Sequence, residues 1–137
     1  MKVYFEKTIV PCVADEVINW HVAHGWVWNV RTGEKCVGVF FATLLSGDGV
    51  IIHFTPKPDL TIPPALTLAA FRKGVKIASP LGVVFATVPR SKTKLVSVVK
   101  RLGFAETNGS FIREGVGEIV LLKYLKNPSA ILDSHQP

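Results

Sequence analysis

The sequence predicts an α/β (α+β) fold: a mixed, mostly antiparallel central sheet with about three flanking helices. It places one domain over residues 1–126 and a tail over 127–137. Three observations point there. The chain has 137 residues, the usual size of one domain. Hydrophobic residues make up 48% and charged residues 19%, enough apolar material for a packed interior and too little charge for a disordered chain. The hydrophobic rhythm then alternates between strand and helix periods, in the order strand, helix, several antiparallel strands, helix, strand, helix, two strands.

Each element has a local cause. Lys2 to Val10 carries Val3, Phe5 and Ile9 on a strand period. Pro11 precedes Val13, Val17 and Trp20 at helical spacing, with Asp15 and Glu16 in the first turn, where negative charge suits the helix dipole, and Gly25 as the stop. Trp26, Trp28 and Val30 alternate, Arg31 to Glu34 makes a turn, and Cys36 to Leu45 is an apolar strand. Ser46-Gly47-Asp48-Gly49 is a hairpin signal before Val50 to Thr55. Pro56 to Asp59 breaks the strand, and Thr61 is placed to cap a helix that tolerates Pro63 and Pro64 in its early turn and runs to about Ala78. Gly82 to Val88 reads as a buried strand. Ser91 is placed to cap a helix with Leu95, Val98, Val99 and Leu102 on one stripe and Gly103 as its stop. Phe111 to Arg113 and Glu118 to Leu125 form a terminal strand pair.

Several classes of protein are excluded or disfavoured. The longest stretch without Asp, Glu, Lys or Arg is Val17 to Val30, too short and too polar to span a bilayer. Met1 to Val10 reads as a strand and not as a signal peptide. Cys12 and Cys36 lie far apart in a chain without an export signal, so reduced thiols in a cytoplasm-like compartment are expected. His21 and His24 lie three apart on a helix but lack a third ligand nearby, so no metal is expected.

Charge is distributed unevenly. The net charge is +6, and no Asp or Glu occurs from Leu60 to Ala105, where Arg72, Lys73, Lys76, Arg90, Lys92, Lys94, Lys100 and Arg101 supply eight positive charges. Such a segment suits an anionic, phosphate-bearing partner, a small cofactor or a nucleic acid.

The element order, with three short motifs, resembles the GNAT-type acyl-CoA N-acyltransferases. Phe54-Thr55-Pro56 ends the fourth strand as that family's Val-x-Pro does, Val83 to Val88 matches its fifth strand, and Leu102-Gly103-Phe104 matches the Leu-Gly-Phe closing its last helix. The likeness covers nearly the whole chain by element order but only these motifs by residue. Compact, diverged chains of this kind also resemble GNAT-like proteins that some bacteriophages encode. The resemblance implies acetyl-CoA as cofactor, an amine as acceptor and a homodimer, formed here by edge pairing through Glu118 to Leu125.

The chain departs from the family at two places. The family's Arg-x-x-Gly-x-Gly loop cradles the cofactor pyrophosphate on backbone N–H groups at a helix start. Here Asp59 stands at the arginine, Thr61 and Pro64 stand near the glycines, and Pro63 and Pro64 have no N–H to give. The family's tyrosine acid corresponds to Val99, and its asparagine near the start of that helix to Lys92. What remains for acyl transfer is His53 as proton acceptor, with Phe54, Thr55, Lys57, Lys92 and Lys94 toward the cofactor. Three functions stay open: an N-acyltransferase with a degenerate cofactor loop, a GNAT-fold binding or structural protein without activity, and an anionic-polymer binder. Trp20, Trp26 and Trp28 are read as core or half-buried packing, with lining a pocket or stacking bases as the alternative.

Overall fold

In the computed structural model, residues 2–125 are described, apart from 14, 25, 46 and 62. The expected helix stop at Gly25, the first residue of the Ser46 to Gly49 turn and the tail over 127–137 therefore lie outside the described residues. The chain divides into two compact units, residues 1–82 and 83–137. Among the described residues these hold seven strands, three α-helices and a short 3₁₀ turn (Ser79–Leu81), an α+β composition in which every strand pairing within a unit is antiparallel.

In the first unit β1 (Tyr4–Lys7), β2 (Trp26–Thr32), β3 (Lys35–Leu44) and β4 (Gly49–Pro56) follow one another as a meander. Strand alternation gives this sheet two distinct faces. Phe41 lies opposite both Val27 and His53, and Val39 opposite Asn29 and Thr55, so these share one face. Phe40, opposite Trp28 and Phe54, belongs to the other.

Helix α1 (Glu16–His24) packs on the first face, where Ile18 joins Val27, Val39 and Phe41 in a buried cluster that Cys12, Val13 and Val22 flank. Asp15 caps this helix, its Oδ1 accepting the Ile18 N–H at 2.8 Å. The inward stripe is Ile18 and His21; Val17 and Trp20, which the apolar spacing singles out, are 57% and 51% exposed. His21 turns inward because it finds polar partners there, so its ring nitrogens are not stranded in the core.

Helix α2 (Pro64–Ala78) lies against the second face through Gly74, which passes so near Phe40 that a Cβ there would stand 2.3 Å from the ring. Its N-cap is Pro63, with no side-chain cap bond, so Thr61 does not cap it as expected.

The cysteines also correct the sequence reading. Cys12 and Cys36 are paired in a disulfide, with Cα atoms 6.6 Å apart, and are not reduced thiols. Their separation of 24 residues in sequence hides a junction made by the meander. Asn29 on β2 accepts the Cys12 N–H at 2.8 Å and donates to the Val10 carbonyl, which holds the chain before α1 against the sheet.

In the second unit β5 (Val83–Pro89) and β6 (Phe104–Arg113) both pair with β7 (Gly117–Tyr124). β7 is bonded along both edges, by β5 and by β6, so the edge pairing expected through Glu118 to Leu125 is not open to a second copy. β6 starts at Phe104, seven residues earlier than expected. Helix α3 (Thr93–Arg101) has Lys92 and not Ser91 as its N-cap, and it ends at Gly103, whose φ of 106° only glycine adopts readily.

Candidate functional site

His53 sits on β4 directly opposite Phe41, and the two rings stack with centroids 4.7 Å apart and 19° between planes. Phe41 also touches His21 at 4.4 Å, and the two imidazoles are 6.3 Å apart. His21 is 8% exposed. Its Nδ1 lies 2.7 Å from the Val17 carbonyl, an acceptor, so Nδ1 carries a hydrogen, and Nε2 pairs with the Thr43 hydroxyl. A neutral His21 therefore receives the Thr43 hydrogen at Nε2. His53 is half-buried on an apolar wall, with a second imidazole of defined tautomer nearby. An imidazole is a residue type suited to proton transfer.

Thr55 shares the face of His53, whereas Phe54 points to the α2 face beside Gly38 and Phe40. His24 faces outward and stacks on Trp20 at 4.4 Å, so it does not join His21. Among the described residues, no three His, Cys, Asp or Glu side chains gather as a metal site.

The chain after β4 is anchored by the Lys57 N–H, which donates to the Val37 carbonyl at 2.9 Å, and it turns through a Leu60 N–H bond back to Lys57. At the start of α2, Pro63 and Pro64 have no N–H, and the Leu66 and Thr67 N–H groups both donate to the Pro63 carbonyl. A helix start ordinarily offers four unpaired N–H groups to an anion. Here the prolines and these inward bonds leave little of that cradle, and Asp59 is exposed in the same loop. A pyrophosphate does not fit this backbone in the usual way. Lys57 is the cation of this loop.

In the second unit Lys92 and Lys94 are exposed at the start of α3. The basic segment is less bare than its sequence suggests. Arg90 bonds Glu118 at 2.6 Å and Glu106 at 3.1 Å, and Lys100 bonds Glu106 at 2.6 Å. The hydrogen bond from Lys100, aided by its charge and then by Arg90, holds the Glu106 carboxyl below its ordinary value. Glu118 in turn raises Arg90. Two of the eight cations are thus already paired.

No protein-family model and no curated protein matches the chain by sequence. Solved structures do match. A Bacillus subtilis acetyltransferase in complex with CoA superposes with a TM-score of 0.70 at 13% identity, over 90% of this chain and 98% of that one. An IAA acetyltransferase from Bacillus cereus gives 0.68 at 13% identity, over 90% and 99%. A GNAT family acetyltransferase from Elizabethkingia anophelis with acetyl-CoA bound gives 0.67 at 9% identity, over 89% and 97%. The chain has the GNAT-type fold.

Within that fold β4 ends at Pro56, as the Phe54-Thr55-Pro56 motif implies, and Leu102-Gly103-Phe104 closes α3. Val99, which the resemblance sets opposite the family's tyrosine, is 1% exposed, a core side chain with nothing to donate. Sequence reasoning missed His21 and Thr43 as neighbours of the His53 wall. The spacing of Ile18, His21 and Val22 as i, i+3 and i+4 carries the signal for His21. Thr43 becomes visible only once α1 is docked.

Proposed function

We propose that the chain is an acyl-CoA-dependent N-acyltransferase with a degenerate cofactor loop, acetyl-CoA being the donor and an amine the acceptor. The observation that carries this reading is the match of about nine-tenths of the chain to CoA-bound acetyltransferases, with an imidazole on β4. The thioester supplies the activated acyl group. The amine nitrogen bonds to the acyl carbon as the carbon–sulfur bond breaks, and CoA leaves as a thiolate that takes up a proton. The chain supplies a proton acceptor, one nitrogen of His53 taking the proton that the amine loses, and Phe41 fixes the ring by stacking. Phe54 and Thr55 are assigned to the cofactor, and Lys57, Lys92 and Lys94 to its phosphates, as point charges replacing amide donors. A cytoplasmic setting, where acyl-CoA is at hand, belongs to the same reading.

Release of free CoA thiol in the presence of a panel of amines tests it. Turnover is expected with at least one amine, and His53→Gln is expected to lower kcat by about 10²–10⁴-fold while acetyl-CoA affinity stays the same. Turnover unchanged by the substitution would remove His53 from the chemistry.

A second reading keeps the fold without the reaction. The proline-filled start of α2 and the buried Val99 favour it. It predicts CoA binding without turnover, or neither.

A further inference from the structure

The first unit carries a basic groove that the acyl-transfer reading does not use. Lys2 beside β1 and Arg72, Lys73 and Lys76 on α2 surround an open groove of about 350 Å³, with Val3 and Ala69 as its small apolar floor. That volume is at the small end of ligand pockets, which run from about 300 to 1,000 Å³. Lys73 is half-buried, yet its partners are neutral. Its Nζ donates to the Val3 carbonyl at 2.8 Å and lies 5.7 Å from the Tyr4 ring centroid. Lys2 approaches the same ring, also at 5.7 Å.

Among the described residues, none of the four cations has an ion-pair partner. α2 contains no Asp or Glu, and Glu6, the acid of β1, is bonded to Arg31. On α2 Arg72 and Lys76 stand four apart, and Lys73 and Lys76 three apart, spacings at which like charges repel. Lys76 in the last turn is favoured by the helix dipole, but Arg72 and Lys73 lie further inside the helix, beyond the reach of that effect. A half-buried ammonium with only neutral partners, among three more cations, is an arrangement completed by an anion.

We propose that this groove binds a small ligand carrying two or more linked phosphate groups. Four cations match a multiply charged anion better than a single carboxylate. The guanidinium fork of Arg72 can grip two phosphate oxygens at once while the lysines supply point charge. The floor of Val3 and Ala69 leaves room without a side chain to reject the ligand.

The probe is inorganic triphosphate, titrated by calorimetry into the full chain at low and at physiological salt. Saturable 1:1 binding is expected, weaker at the higher salt. The double variant Arg72→Gln/Lys76→Gln alters only exposed side chains, and it is expected to weaken the affinity at least about tenfold with its thermal midpoint nearly unchanged. Lys92→Ala/Lys94→Ala is expected to leave triphosphate binding alone, and Arg72→Gln/Lys76→Gln to leave acetyl-CoA binding alone, which separates this site from the acyl-CoA reading. Unsaturable binding, or equal affinity in Arg72→Gln/Lys76→Gln, would overturn the proposal. So would a short DNA duplex binding more tightly than triphosphate and losing affinity in the same variant, since the face would then serve a nucleic-acid backbone.

Discussion

Replacing Gly74 by alanine tests how α2 is seated. In an exposed helix interior this change stabilises by about 1 kcal/mol, because alanine is the better helix former. At Gly74 the new Cβ would stand 2.3 Å from Phe40 Cε2, 2.7 Å from Cζ and 2.9 Å from Cδ2, against 3.4 Å or more for ordinary contact. The shortest gap is therefore 1.1 Å too small (3.4 less 2.3). Phe40 is fully buried, and its ring is fenced by Phe5 at 5.2 Å and Trp28 at 5.8 Å between centroids, so it has little room to retreat. Overpacking of a tight core costs about 1–3 kcal/mol. Set against the propensity gain, the expected outcome is a net loss of up to about 2 kcal/mol, a fall in thermal midpoint of up to roughly 10 °C. Urea unfolding of Gly74→Ala, Phe40→Leu and the double variant gives the coupling directly, expected at about 1–3 kcal/mol in favour of the double variant. A Gly74→Ala protein more stable than the parent by about 1 kcal/mol would refute the close approach of α2 to Phe40.

Other outcomes follow from the same structure. Reducing the Cys12–Cys36 bond should lower unfolding stability by about 3 kcal/mol, the entropy of opening a loop of this size, and urea curves with and without a phosphine reductant check it; identical curves would mean the two thiols are unpaired. Glu106 has a folded pKa below its ordinary 4.5, so its contribution is fully present above that pH and is lost as the pH falls through the folded value. Glu106→Gln should therefore flatten the acid limb of a stability-against-pH curve below about 4.5 and change its shape little at neutral pH. An unaltered acid limb would place the acid sensitivity elsewhere.

Features written in local chemistry were legible in the sequence. The end of α3 needs a residue at positive φ, and Gly103 supplies it. The turn at Gly33, with φ of 60°, and the Phe54-Thr55-Pro56 end of β4 were read in the same way. Asp15 was legible as an acid suited to the start of α1, and in the structure it is the cap itself. Features that depend on partners distant in sequence were not legible. The apolar residues of α1 point to Val17 and Trp20 as its buried stripe, but docking turns Ile18 and His21 inward because Thr43 meets the imidazole. The strand expected from Phe111 in fact includes Thr107 to Ser110 within β6: Thr107 Oγ1 donates to the Leu121 carbonyl and accepts the Gly109 N–H, absorbing a bulge. The acid-free segment read as eight bare charges, but Glu106 and Glu118 come from strands that follow it. At the candidate site, His53 was legible as a strand histidine, while its stacking partner Phe41 depends on the β3–β4 register.

The most direct test of the central claim is a calorimetric titration of the full chain with acetyl-CoA at two salt concentrations. Saturable 1:1 binding is expected, weakening as salt rises and reduced by Lys92→Ala or Lys94→Ala, because lysine charge replaces the amide cradle blocked by Pro63 and Pro64. No heat of binding at millimolar acetyl-CoA would contradict it and leave a GNAT-type fold without the chemistry.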